Sequence, residues 1–338
     1  MGAPTSSPVR LLVLTTSWPR TPDDPSGAFV RELAEALEPH GVRSTVVALD
    51  SPEGGALAAW REGRWPLLVR RVASMALHAG RVRDVDGVLA HWLLPSAVVG
   101  LGLGLRRPVV GVAHGSDVGL LARMPWVRRA LVDRLAGVVA VSGAAAQSLG
   151  ARRTLVAPMG VHASDIGPPA AMPPGPLRLL FLGRLVPQKG LGTLLEAVRG
   201  LPHVRLTVAG DGLDRRLAAS AASNVRFVGA VPLSARKALL AEHHVVCVPS
   251  VGDEGAPRVV AEARAAGRPV LASRVGGLPD VVPAPWLVRA GDVGAWRAAI
   301  LARSEAPQSL RPHGQPEDVD WRPVAARVAG FLERVIGR

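Results

Sequence analysis

The chain has 338 residues, 48% of them hydrophobic and 20% charged, which excludes disorder as the main state and points to two domains. One cysteine, Cys247, excludes an intramolecular disulfide and a cysteine-based zinc site, and favours a reducing compartment. The net charge is +13, but every basic residue except Lys189 and Lys237 is an arginine and they spread over the whole chain; with no zinc-finger spacing and no RNA-binding aromatic signature, this bias argues against nucleic acid as a partner.

Met1 to Pro8 is small and polar, and the apolar run Leu11 to Leu14 is too short for a signal core, so a cytoplasmic protein is expected. Arg10 to Thr15 reads as a strand, Ala28 to His40 as a helix and Ser44 to Leu49 as a strand. Val88 to Leu105 is apolar but broken by His91, Pro95, Ser96 and three glycines; a membrane span needs about 20 cleaner residues, so it reads as a strand and a buried helix. Gly87 to Ala90, Val109 to Ala113 and Gly137 to Val141 are further strands. These runs are apolar on both faces, the pattern of a parallel sheet covered by helices. Arg61 to Arg134 is the densest basic stretch, with 12 basic and 5 acidic residues. It contains Trp65 to Arg71 and Met124 to Arg129, where Trp beside Arg with apolar neighbours suits an anionic membrane surface; a solvated helix face is the plain alternative.

Gly167 to Pro176, GPPAAMPPGP, has no periodicity and reads as a hinge. The alternation then restarts. Strands are expected at Leu177 to Leu182, Arg205 to Ala209, Val225 to Val228, Val245 to Val248 and Val270 to Ala272. Helices are expected at Leu191 to Arg199, Leu213 to Ala222, Leu233 to Ala241 and Pro257 to Ala266. The chain thus reads as α/β, two Rossmann-like doubly wound parallel-sheet domains at 1–166 and 177–320, with linker 167–176 and a C-terminal segment 321–338 that holds the amphipathic helix Pro323 to Ile336. Ligands of such sheets lie at the carboxyl ends of strands, and two such domains place the site in the cleft between them.

Several strand ends carry chemistry. In Gly183 to Gly190, Arg184 and Lys189 flank a helix mouth, an anion site suited to a diphosphate leaving group. In Asp253 to Glu262, Glu254 follows a strand end and Glu262 lies inside the next helix; carboxylates accept hydrogen bonds from sugar and ribose hydroxyls. Gly276-Gly277 exposes backbone N–H groups before a helix and allows close approach. His114, in Ala113 to Asp117, can position or polarise a substrate, and His91-Trp92 ends another strand. Gly27, in the loop from Ser17-Trp18 into a helix, can present N–H groups to a phosphate.

In order and spacing these segments resemble the retaining glycosyltransferases of family 4, which have the GT-B fold of two Rossmann-like domains facing a cleft, with a C-terminal helix crossing back to the first. The matches are the Gly27 loop, His91-Trp92 with Pro95, His114 to Asp117, Pro158 to Val161, and Gly183-Arg184 with Lys189-Gly190. Gly210 to Gly212, Val228-Gly229, Pro249-Ser250, Glu254 through Glu262 and Gly276-Gly277 complete them. They cover nearly the whole chain, and the Glu, seven residues, Glu element followed by Gly267 to Val270 is the most specific part.

The resemblance implies transfer of a hexose-type sugar from a UDP- or GDP-sugar, with retained anomeric configuration, to a glycan, lipid-linked or glycolipid acceptor. It implies no cofactor and no metal. By carry-over, Arg184 and Lys189 bind the diphosphate, Glu262 the ribose, Glu254 the donor-sugar hydroxyls, Gly276 and Gly277 the sugar through backbone, and Gly27 lies near the phosphates. Gly229, Gly255, Ala256 and Pro257 complete the donor side. His114 lies against the donor sugar, and Trp18, His91, Trp92 and Asp117 stand on the acceptor side. Relatives act on lipid acceptors at the inner membrane face, so a peripheral position there is expected. His162 stands where the family often has Asp, and Ala256 where a bulky residue is usual. Other readings are weaker. Gly210-Asp211-Gly212 resembles a dinucleotide fingerprint, but Arg215 replaces its third glycine. A nucleotide-sugar epimerase leaves His91-Trp92 without a role, and a non-catalytic sugar-nucleotide binder does not need Arg184, Lys189 and Glu254 together.

Overall fold

Runs of Val, Leu and Ala apolar on both faces form, among the described residues, two six-stranded sheets whose paired strands are all parallel. The structure is a computed structural model that describes residues 8–49, 63–104, 107–162, 169–252, 254–314 and 316–337. The chain divides into two units, Met1–Pro158 with Trp321–Arg338, and Met159–Asp320.

In the first unit the strands are β1 (Val9–Thr15), β2 (Val42–Ala48), β3 (Gly87–His91), β4 (Val109–Ala113), β5 (Gly137–Ala140) and β6 (Thr154–Val156), in the order β2-β1-β3-β4-β5-β6. Its helices are α1 (Ala28–Leu37), α2 (Trp65–Ala79), α3 (Val98–Gly102), α4 (Ser116–Ala122), α5 (Pro125–Val132) and α6 (Gly143–Leu149). All residues of β3, β4 and β5 are buried, as their unbroken apolar composition dictates. Parallel pairing puts every strand's carboxyl end on one rim, which gathers Trp18 after β1, His91 at the end of β3 and His114 after β4.

In the second unit β7 (Leu177–Leu182), β8 (Val204–Ala209), β9 (Val225–Gly229), β10 (Val245–Val248), β11 (Val270–Ser273) and β12 (Leu287–Val288) take the order β12-β11-β10-β7-β8-β9. Its α-helices are α7 (Leu191–Val198), α8 (Leu233–Ala241), α9 (Arg258–Ala265), α10 (Leu278–Val281) and α11 (Val293–Ser304). Two expectations change. Leu213–Ser220 is a 3-10 helix rather than an α-helix: the Asp214 N–H donates to the Leu185 carbonyl at 2.9 Å, which ties the first turn to a neighbouring loop. The unit boundary falls at Pro158 rather than near 166, because Val161 bridges to Asp320 and is buried in the second unit's core. Residues 163–168 lie outside the described residues. The rest of the Pro-rich stretch is fastened to the second unit, where the buried Arg268 guanidinium donates to Ala171 O at 3.1 Å and His244 Nε2 meets Pro173 O at 2.7 Å.

The last helix, α12 (Trp321–Ile336), belongs to the first unit. It is strongly amphipathic and buries Trp321, Val324, Val328, Phe331, Leu332 and Val335. Gly137 and Gly87 leave room for it: an added Cβ there would stand 2.7 Å from Phe331 and 2.9 Å from Ile336. Trp321 Nε1 donates to the buried Glu32 carboxylate at 2.8 Å, joining α12 to α1.

Candidate functional site

Each unit carries one cluster of the expected residues at its strand ends. In the first unit, His91 ends β3 and His114 follows β4. These strands are neighbours with His91 in register with Val112, so two residues of further chain bring the rings together. Nδ1 of His91 lies 3.1 Å from Nε2 of His114, and the rings stack at 5.2 Å with 17° between planes. His91 is 1% exposed, so it is the ring behind His114. Trp92 packs on His114 at 4.6 Å, and Phe29 from α1 at 5.0 Å. Burial pushes the His91 imidazole down to about 3. His114 is held well below the ordinary imidazole value by burial and by the charge of its neighbour His91. Both rings are therefore neutral at pH 7.

Asp117, expected on the acceptor side, has another task. It is 4% exposed, and its carboxylate accepts the backbone N–H groups of Leu93 at 2.9 Å, His114 and Gly115 at 3.0 Å, and Val118 at 3.1 Å. Burial raises its pKa, with these bonds acting in the opposite direction. A carboxylate so occupied braces the two strand-end turns. Gly27 has φ +73, and a Cβ there would come 2.4 Å from Ser17 O, so only glycine brings the start of α1 against the loop that carries the half-buried Trp18.

In the second unit the loop after β7 meets the loop after β10. Lys189 Nζ donates to both carboxylate oxygens of Glu254, at 2.8 and 2.7 Å, and Ser250 Oγ donates to Oε2 at 2.6 Å. Gly276, φ +53, passes so close to Glu254 that a Cβ would lie 2.1 Å from its carbonyl oxygen, and that carbonyl accepts the Gly277 N–H at 2.9 Å. The two glycines therefore lock the backbone that aims the Glu254 side chain. Gly255, Ala256 and Pro257 lead from Glu254 into α9, with Pro257 as its N-cap. Asp253 lies outside the described residues. Arg184 is exposed and makes no ion pair among the described residues, which leaves a solvent-facing cation in the same β7 loop. Gly229 ends β9, and its carbonyl accepts the Gly210 N–H at 2.7 Å.

Glu262 lies in α9 and is 1% exposed. Its Oε1 accepts Arg236 NH1 at 2.5 Å and Arg258 Nε at 2.7 Å, while Oε2 is buried without a hydrogen-bond partner among the described residues. An orphan carboxylate oxygen is costly, and a ligand hydroxyl would satisfy it. Sequence reasoning missed the partners that fix these carboxylates. Ser250 was visible only as part of a Pro-Ser pair, and Arg236 stands 26 residues before Glu262, with no spacing to link them. Among the described residues no group of three or more His, Cys, Asp or Glu could hold a metal ion.

On the first unit's surface, α2 exposes Trp65, Val69 and Leu77 at 59, 58 and 69%. Their spacing of four and eight residues makes one stripe, with exposed Arg70 beside it. Among the described residues no helix is long and apolar enough to cross a membrane.

Residues 26–164 match the family described as Glycosyltransferase Family 4, and residues 176–305 that described as Glycosyl transferases group 1. A phosphatidyl-myo-inositol mannosyltransferase of Mycobacterium leprae (strain TN) is 29% identical over 93% of this chain and 94% of its own length. A glycogen synthase of Mycobacterium tuberculosis is 28% identical over 86% of this chain and 79% of its own. Among solved structures, a sucrose-phosphate synthase from Thermosynechococcus elongatus superposes with a TM-score of 0.73 at 20% identity, covering 97% of this chain and 95% of that one. Anabaena Alr3699/HepE in complex with UDP-glucose does so with 0.70 at 19%, covering 96% and 99%.

Proposed function

The chain belongs to the glycosyltransferases of family 4 and has the GT-B fold, and from that premise we propose a retaining, metal-independent transfer of a hexose from a nucleotide-sugar to a glycolipid or lipid-linked acceptor. One observation carries the proposal: the second unit's strand ends hold a Lys189–Glu254–Ser250 cluster and, in α9, a Glu262 carboxylate with one buried oxygen unclaimed.

Arg184 and Lys189 take the diphosphate. They neutralise the charge that grows on it as the glycosidic bond breaks, which a fixed cation does without reorganisation. Glu254 accepts hydroxyls of the transferred sugar, and Gly276 offers its backbone N–H beside it, while the Gly277 N–H holds the Glu254 carbonyl. The free Oε2 of Glu262 accepts a ribose hydroxyl, while Arg236 and Arg258 hold Oε1. Gly27 brings backbone N–H groups near the phosphates, and His114 meets the transferred sugar. The acceptor hydroxyl attacks from the face the diphosphate leaves, through an oxocarbenium-like state. The departing phosphate oxygen takes the hydroxyl proton, so the C–O bond to phosphate breaks as the new C–O bond forms, with configuration kept. Lys189 is paired with Glu254 in this structure; the diphosphate competes for its ammonium, which frees Glu254 for the sugar.

The lipid acceptor draws support from the α2 stripe of Trp65, Val69 and Leu77 beside Arg70, a pattern for an anionic bilayer surface, and from the mannosyltransferase relative named for phosphatidyl-myo-inositol. The test is a thermal-shift panel of UDP, GDP, ADP and their sugar conjugates, with and without EDTA. A ligand at 100 times its Kd adds about 2.7 kcal/mol of stability. One nucleotide family raising the melting temperature equally in EDTA supports the reading, and a shift lost in EDTA removes metal independence.

A further inference from the structure

We propose that His91 is a positioning residue for the transfer: by holding Nε2 of His114 it fixes that ring's orientation and leaves Nδ1 for the transferred sugar. The proposal rests on the reading that His114 meets that sugar.

The geometry has three parts. Nδ1 of His91 and Nε2 of His114 are 3.1 Å apart, a hydrogen-bond distance that requires one proton between them. Whichever nitrogen carries it, His114 has spent Nε2, and Nδ1 is its remaining polar atom. The ring cannot swing to reverse the two, because Phe29 and Trp92 pack on it. Finally, His91 is 1% exposed, so its reach to any ligand runs through His114.

The titratable groups in contact with His114 are His91 from β3 and Asp117 from α4, the helix that follows it. The Asp117 carboxylate accepts the His114 backbone N–H rather than the ring. From α1 the contact is Phe29 and from the β3 turn it is Trp92, neither of them charged. The ring's protonation is thus tied to His91 more than to any other side chain it touches. Two imidazoles cannot both be cations at this distance without strong repulsion, and burial keeps each ring below the ordinary imidazole value. A neutral imidazole held in one orientation can order a sugar hydroxyl without placing a full positive charge beside an oxocarbenium-like centre.

Nitrogen-15 NMR of histidine-labelled full-length protein tests this, with the His114 signals assigned by loss in H114Q. In the wild type the proposal requires a nitrogen–nitrogen coupling across the His91 Nδ1 to His114 Nε2 hydrogen bond and one neutral His114 tautomer at every pH from 8 to roughly 5, below the ordinary imidazole value of about 6.5. H91L should abolish the coupling and leave His114 as a tautomer mixture, with burial still keeping its pKa low. H91N, which keeps an amide near the Nδ1 position, should restore the single tautomer. Absence of the coupling in the wild type overturns the proposal without any variant, and so does an H91L protein whose His114 tautomer ratio matches the wild type. With the donor found by the thermal-shift panel, H91L should lower kcat of donor hydrolysis about tenfold at little change in donor KM, and H91N should recover most of it. The expected NMR pattern in a protein that turns over no donor would leave the His91 to His114 coupling standing and remove the functional reading instead.

Discussion

Lys189 and Glu254 form a two-point ion pair, with Nζ 2.8 and 2.7 Å from the two carboxylate oxygens, although they lie 65 residues apart in the chain. The loops after β7 and β10 meet because β10 and β7 are neighbours in the sheet. In the proposed function, a cation suited to phosphate and a carboxylate suited to hydroxyls are thus paired with each other before a ligand carrying both groups binds.

If Lys189 and Arg184 supply the charge that stabilises the leaving diphosphate, the double variant R184A/K189A should lose at least about 10²-fold in turnover, the scale of removing preorganised electrostatic stabilisation. Circular dichroism should show the fold retained, since Arg184 is exposed and Lys189 is only partly buried. Turnover like the wild type in the double variant would remove the proposed phosphate site.

Ser250 predicts a subtler effect. It is 1% exposed and its hydroxyl donates to Glu254 at 2.6 Å, so S250A releases one of the groups aiming that carboxylate. A hydrogen bond to a charged group contributes about 1.5–3 kcal/mol. Calorimetry should therefore show weaker binding of the sugar conjugate, by roughly tenfold or more, with binding of the free nucleotide diphosphate unchanged. Equal weakening of both would place Ser250 outside the sugar subsite.

The buried histidines set a pH dependence of stability. His91 in the folded state stays neutral down to about 3, whereas the unfolded chain protonates near 6.5. Below that pH the unfolded state binds the extra proton, so stability falls as pH is lowered from about 6.5 towards 3. The expected slope is about 1.4 kcal/mol per pH unit for each such histidine, and His114 adds in the same direction. Urea unfolding at pH 7, 6 and 5 should show this decline, and H91N should reduce the slope by about 1.4 kcal/mol per pH unit. A wild-type stability unchanged between pH 7 and 5 would contradict neutral burial.

The α2 stripe predicts membrane behaviour. W65S/L77S removes two large apolar side chains that are 59 and 69% exposed, so it should leave the melting temperature nearly unchanged. It should reduce sedimentation with anionic phosphatidylglycerol vesicles severalfold. Wild-type binding that ignores both lipid charge and salt would sink the membrane reading.

Much of this was legible in the chain because burial writes itself into composition. Val109 to Ala113 could be read as a buried strand since nothing polar interrupts it, and Leu177 to Leu182 since Arg178 alone does, and Glu254 with Glu262 stood out because loop and helix signals flank them. The bracing role of Asp117 was hidden because a carboxylate beside a strand end looks the same whether it faces a ligand or accepts four backbone N–H groups. The His91 to His114 contact was hidden because it depends on the pairing of β3 with β4, and sheet order is not a local property of sequence. Arg236 on Glu262 and Ser250 on Glu254 were hidden for the same reason: packing, not spacing, brings them together. Leu213–Ser220 had helical residues but lost its α-helical ladder to a bond with the Leu185 loop.

The central claim is sugar transfer from a nucleotide donor with retained configuration, and donor turnover followed by proton NMR tests it most directly. Each of the UDP-, GDP- and ADP-sugars is incubated with the protein, with and without EDTA, and the first-formed anomer is read before it equilibrates. The account predicts that one nucleotide family releases its diphosphate at a rate indifferent to EDTA, and that the new anomer matches the donor's. An inverted anomer would contradict the same-face mechanism, and release from none of the donors would contradict the assignment of the Lys189–Glu254 site.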